Sequence, residues 1–151
     1  MRNVAQNVRG DRREEMTAIE YLRQYRDADR LVRRLRYEYE KEFELIDTIK
    51  STSDIDDLPR SKRVSKLVED KAIKLADKAM ELKIAELQAL HVRQEVFETV
   101  LSIGGDESDV LIERYINLRT WTDLCVAVHW SWYKVHELHQ TGLKKIAEKI
   151  K

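Results

Sequence analysis

The chain has little of what bends or cross-links a polypeptide: one cysteine, one proline and four glycines in 151 residues. The lone Cys125 excludes an internal disulfide framework. So few turn residues, beside a charged fraction of 37% against the quarter typical of globular chains, point to long solvated helices with a thin apolar seam. The expected class is all-α. No apolar run approaches the roughly 20 residues that span a bilayer, so no membrane partner is expected and a soluble, cytoplasmic setting is. The 28 basic and 28 acidic side chains cancel, which removes any global field that would draw the molecule onto nucleic acid. Contact with a polyanion would have to be local.

Residues 1–15 (MRNVAQNVRGDRREE) mix charge with Asn, Gln and Gly and offer too little apolar surface to order themselves. A disordered tail is expected, with a basic arm or targeting segment as the alternative. Arg12, Arg13, Glu14 and Glu15 stand directly before Met16, where purine-only codons would resemble a bacterial ribosome-binding site. That suggests a translated leader with the natural start at Met16. Thr17 to Glu20 reads T-A-I-E, a capping box in which hydroxyl and carboxylate each satisfy a backbone N–H of a first helical turn.

From Leu22 apolar residues recur at Tyr25, Ala28, Val32, Leu35, Tyr39, Phe43, Ile46 and Ile49. Steps of three and four keep them on one helix face. A helix of about 34 residues follows, roughly 50 Å long. It is expected to stop in residues 51–61 (STSDIDDLPRS), where small polar side chains compete for backbone hydrogen bonds and Pro59 forbids continuation. A second stripe runs Val64, Leu67, Val68, Leu75, Ala79, Leu82, Leu87, Leu90, Phe97 and Leu101 to the paired Gly104 and Gly105, predicting a helix from Lys62 to about Ile103. The two stripes predict a long antiparallel hairpin or coiled-coil arm over residues 16–103, whose partner helix lies in the same chain or in a second subunit. A two-helix hairpin has little core of its own, so a homodimer through this arm is expected. The basic run RLVRRLR at residues 30–36 is either a phosphate-binding strip or a solvated face paired with Glu38, Glu40, Glu42 and Glu44; the second reading is favoured.

Residues 104–109 (GGDESD) read as a linker. Beyond it, over residues 110–151, Val110, Leu111, Tyr115 and Leu118 predict a short helix. Thr120-Trp121-Thr122-Asp123 starts a second, carrying Leu124, Ala127 and Val128. His129-Trp130-Ser131 interrupts, and Ser131 caps a third helix, from 132 to about 149, with Val135, Leu138, Leu143 and Ile146 buried. The order helix, helix, tight turn, helix is that of a DNA-binding helix-turn-helix, whose last helix enters the major groove by its first two turns.

Residues 120–146 (TWTDLCVAVHWSWYKVHELHQTGLKKI) align without a gap on the promoter-binding helix-turn-helix of sigma factors. Arg114-Tyr115-Ile116, Thr120-Trp121, Val135-His136-x-Leu138-His139 and Leu143, together with the opening MTAIEYL at residues 16–22, resemble the ArpU/RinA-type regulators of phages and prophages of Gram-positive bacteria. The resemblance implies sequence-specific binding of double-stranded DNA that activates late phage genes, with host RNA polymerase as a candidate second partner. Carried residue by residue, the sigma-like pattern places Trp132, Tyr133, His136, Glu137 and Gln140 toward the groove and Lys134, Lys144 and Lys145 toward phosphates. Glu137 would accept from a cytosine amino group, Gln140 would pair an adenine edge, and the two aromatics would meet thymine methyls or sugar. This chain departs from the pattern with His129 at the turn position usually held by Gly, with Trp132 and Tyr133 where sigma factors favour charged residues, and with Gly142 inside the third helix, in place of a small Ala.

Within residues 110–151 seven basic residues face four acidic ones, a weak footprint for DNA. His136 and His139 stand three apart, but a structural zinc wants four ligands at tight spacing and no Cys pair exists; no metal or cofactor is expected. Cys125 reads as a small core residue, and Trp121 and Trp130 as core clamps. There is no Gly-rich phosphate loop and no nucleophile beside a base, so a non-enzyme is expected. Two other readings stay open: a helical adaptor whose helix-turn-helix binds protein, and a small DNA-packaging recognition subunit. The latter commonly places its DNA-binding part first in the chain.

Overall fold

The computed structural model describes residues 16–54 and 62–151, and every regular element in them is helical. The expected tail or leader at residues 1–15 and the Pro59 turn lie outside the described residues. Helix α1 covers Ala18–Asp54 and α2 covers Lys62–Ile103. The capping box forms as its sequence demands: the Thr17 N–H donates to Glu20 Oε2 at 2.8 Å and the Glu20 N–H to Thr17 Oγ1 at 3.3 Å. At its far end α1 continues through residues expected to break it. The hydroxyls of Thr48, Ser51 and Thr52 donate back to the carbonyls of Glu44, Asp47 and Thr48 at 2.8–2.9 Å. Their hydrogen bonds thus run along the helix instead of competing with it.

The two helices run antiparallel. Tyr21 Oη and Thr99 Oγ1 are 2.7 Å apart, Arg36 pairs Glu86 at 2.9 Å, and Lys78 pairs Glu38 at 3.6 Å. Residue numbers rise on one helix as they fall on the other. The pairs are partly exposed and contribute at most about 1 kcal/mol each; the apolar seam holds the hairpin. On α1 that seam keeps Leu22, Val32 and Ile46 buried as their spacing predicts, while Phe43 is exposed and stacks on Tyr39 with centroids 6.4 Å apart. On α2 the register differs from the expected one. Leu67, Leu87, Leu90 and Leu101 are exposed, and the buried positions are Ala85, Ala89, Val96 and Val100. The alanines allow close approach, and Val32, Ala85 and Ala89 pack with Ala28, Leu35 and Leu82. Side-chain bulk therefore does not set the register of this seam.

The expected linker at residues 104–109 is mostly helix. Gly104 and Gly105 take φ of 65° and 70° and turn the chain, which a side chain would resist. Helix α3 then spans Gly105–Leu111, because Ser108, Val110 and Leu111 are buried and draw their neighbours into a helical turn. It widens into a π-helical turn, Ile112–Ile116. Helices α4, Trp121–Val128, and α5, Trp132–Lys149, complete the chain.

One core joins the hairpin base to the C-terminal helices. Ala18 and Leu22 of α1, Val96 and Val100 of α2, Leu111, Tyr115, Ile116 and Ile146 pack together. Complete burial of a Leu, Ile or Val contributes about 1.5–3 kcal/mol, and five members, Leu22, Leu111, Ile146, Val96 and Val100, are fully buried. The first turns of α1 are thereby fixed against the C-terminal unit. Gly142 sits where α5 crosses α3: a Cβ there would lie 3.0 Å from Leu111 Cδ1 and 3.4 Å from Glu107 Cβ. Close packing of the two helices depends on its missing side chain.

Candidate nucleic-acid interface

The turn between α4 and α5 is built by short-range chemistry. Thr120 Oγ1 accepts from the Asp123 N–H at 3.2 Å and opens α4; Ser131 Oγ accepts from the Lys134 N–H at 3.2 Å and opens α5. Between them His129 takes φ 57° and ψ 35°, the left-handed conformation that closes a helix, and its N–H bonds the Cys125 carbonyl. Val110, Leu124, Val135 and Leu138 lock the two helices together, with Trp121, Cys125, Val128 and Trp130 packed against them. Cys125, Trp121 and Trp130 thus pack against this core while remaining only partly buried.

Helix α5 leaves its first turns open. Trp132 is 55% and Tyr133 78% exposed, unusual for residues of that size, and Lys134, Glu137, Gln140 and Lys144 also face solvent. The other two expected contacts sit differently. Lys145 Nζ is 3.1 Å from Glu107 Oε1 on α3 and belongs to the packing between those helices. The N–H of Glu107 itself, and then the hydrogen bond from Lys145, hold the Glu107 carboxyl below the usual carboxylate range. His136 is half-buried between two indoles, 4.4 Å by ring centroids from Trp121 and 4.4 Å from Trp132, and its Nε2 has no hydrogen-bond partner. It props Trp132 outward.

Trp121 is the hub of this end of the molecule. Besides His136 it meets His139 edge-on at 4.8 Å and Trp132 at 6.3 Å, and the Arg114 guanidinium lies 4.6 Å above its ring. His139 is only 6% exposed. Its Nε2 lies 2.9 Å from Tyr115 Oη, while its Nδ1 has no partner. Burial first, and then the charges of His136 and Arg114, push its pKa down to about 4, so the ring is neutral at pH 7. Arg114 is steadied from behind: it donates to the Arg119 carbonyl, and Arg119 pairs with Glu113.

On the other side of Trp121 lies a cleft of about 430 Å³ between α1 and the C-terminal helices. Arg23, Arg26, Arg30, Arg33 and Arg114 line it, with Tyr115, Trp121 and His139 among its walls. Of the α1 arginines, only Arg30 and Arg33 fall inside the basic run expected to be a solvated face; Arg23 and Arg26 lie outside it. The signal available was the spacing of Arg23, Arg26, Arg30 and Arg33, which places four guanidinium groups on one face of α1. Among the described residues no cluster of three or more His, Cys, Asp or Glu could hold a metal, and no helix is long and apolar enough to cross a membrane. Comparison with models of protein families, with curated proteins and with solved structures found no match for this chain.

Proposed function

We propose that this chain is a non-enzymatic, sequence-specific DNA-binding transcription regulator of the ArpU/RinA type, acting on late genes of a phage or prophage. The observation that carries the reading is the exposed start of α5: a capped helix after a left-handed turn, with Trp132, Tyr133, Glu137 and Gln140 exposed to solvent. A helix held this way enters the major groove by its first two turns. Glu137 and Gln140 supply an acceptor and a bidentate amide for base edges, and Trp132 and Tyr133 supply apolar contact for thymine methyls. Lys134 and Lys144 flank the groove as phosphate contacts.

Helix-turn-helix proteins commonly bind as dimers, their half-sites one helical turn apart. The reading includes a homodimer through the arm, supported by Ile73, Met80, Ile84, Leu87 and Leu90, all exposed on α2. Host RNA polymerase is a further proposed partner. The test is selection of duplexes from a random pool by the full chain. Enrichment of one motif is expected; recovery of no motif would favour a helical adaptor that binds protein.

A further inference from the structure

We propose that the arginine cleft between α1 and Trp121 is a second DNA contact, holding the phosphate backbone of the duplex that α5 reads. The inference rests on the DNA-binding reading above and extends the footprint from the helix-turn-helix onto the arm.

Five guanidinium groups meet in this cleft, and its one carboxylate, Asp29, is already engaged by Arg33 at 2.8 Å. Arg23, Arg26 and Arg30 make no ion pair among the described residues. Like charges spaced three and four apart on a helix repel by a few tenths of a kcal/mol per pair. On a solvated face acids relieve this when they pair, as Glu44 does with Lys41 at 2.9 Å further along α1. Asp27, four residues after Arg23 and three before Arg30, forms no ion pair with either among the described residues. At Tyr115 burial raises the phenol pKa, and the fields of Arg23, Arg114 and Arg26 oppose that rise, so all three charges reach one buried hydroxyl. The His139 ring lines the same cleft with Nδ1 unpartnered.

The occupant that fits is a phosphodiester backbone. Arg23 to Arg33 covers about 15 Å of helix α1, a row rather than a point, and suits a run of phosphates better than one small anion. The row is continuous with the groove-reading surface. Trp121 carries Arg114 above its ring and touches His136, which in turn contacts the tilted ring of Trp132 at the start of α5. A duplex lying on Trp132 and Tyr133 would pass the start of α4 and then meet the arginines. The contact also supplies what the C-terminal unit lacks, since residues 110–151 carry an excess of only three positive charges.

The test is the salt dependence of duplex binding by the full chain. Each phosphate contact contributes a slope of about −0.9 in log K against log salt. The triple variant R23Q/R26Q/R30Q is expected to flatten the slope by about 2–3 while selecting the same motif. The triple lysine variant, which keeps the charge, is expected to retain it, and Arg34→Gln, outside the cleft, to leave it unchanged. An unchanged slope in the glutamine variant with the motif still selected overturns the cleft assignment alone. Absence of duplex binding by the unaltered protein overturns both readings. If a nucleoside triphosphate binds in the cleft while the duplex slope stays unchanged, the site serves a small ligand and the assignment to DNA fails.

Discussion

Gly142 of α5 and Leu111 of α3 approach so closely that a Cβ on the glycine would stand 3.0 Å from Leu111 Cδ1 and 3.3 Å from its Cγ. In an isolated helix, Gly142→Ala would be favourable by up to about 1 kcal/mol. Here Leu111 is fully buried in the core shared by the hairpin and the C-terminal helices and has no room to yield. Gly142→Ala is therefore expected to destabilise by about 1–3 kcal/mol, read as a lower urea midpoint. A raised midpoint would show that helix propensity outweighs packing at this crossing.

His139 makes stability pH-dependent. Its folded pKa, about 4, lies below its ordinary value of 6.5, so between these values the unfolded chain binds the extra proton. The contribution is fully present above pH 6.5 and is lost as pH falls toward 4, a loss of roughly 2–3 kcal/mol. His139→Gln keeps a polar group for Tyr115 but does not titrate there. Urea unfolding at pH 7 and pH 4.5 should show a larger drop for the native protein than for the variant. Equal drops would mean that His139 is not held neutral.

His129 holds the tight turn in a conformation that an L side chain adopts only at a strain of about 1–2 kcal/mol. It is exposed and lies at φ 57°, so little packing is lost with the imidazole. His129→Gly is expected to raise stability by up to about 1 kcal/mol, after allowing for the greater freedom of glycine in the unfolded chain. His129→Val should lower it by more than about 1 kcal/mol, since a β-branched residue fits that region worst. Thermal melting of the pair against the native protein checks the order Gly, His, Val.

These residues also show what was legible in the chain. The caps at Thr17, Thr120 and Ser131 and the left-handed turn at His129 depend on neighbours within a few positions, and the sequence carries them openly. The hairpin was readable from its stripes, but the register of α2 was not. Periodicity weighs side chains by bulk, whereas the seam uses Ala85 and Ala89 to bring the helices close. The role of Gly142 depends on Leu111, and the engagement of Lys145 on Glu107, contacts made only when α3 folds back on α5. The arginine cleft is the extreme case. Its row lies on α1 and its facing wall is drawn from Arg114 to His139, far along the chain, so the spacing of the arginines was visible while their convergence on Trp121 was not.

The central claim is that α5 reads base edges, and base preference itself tests it most directly. Duplex selection should be run on the full chain and on Glu137→Ala and Gln140→Ala. Both side chains are exposed and unburdened by packing, so neither change should disturb the fold. The account predicts one enriched motif for the native protein and relaxed preference, by about 1–3 kcal/mol, at a different single position for each variant. The same motif from all three proteins at undiminished selectivity, or no motif from any, would contradict it.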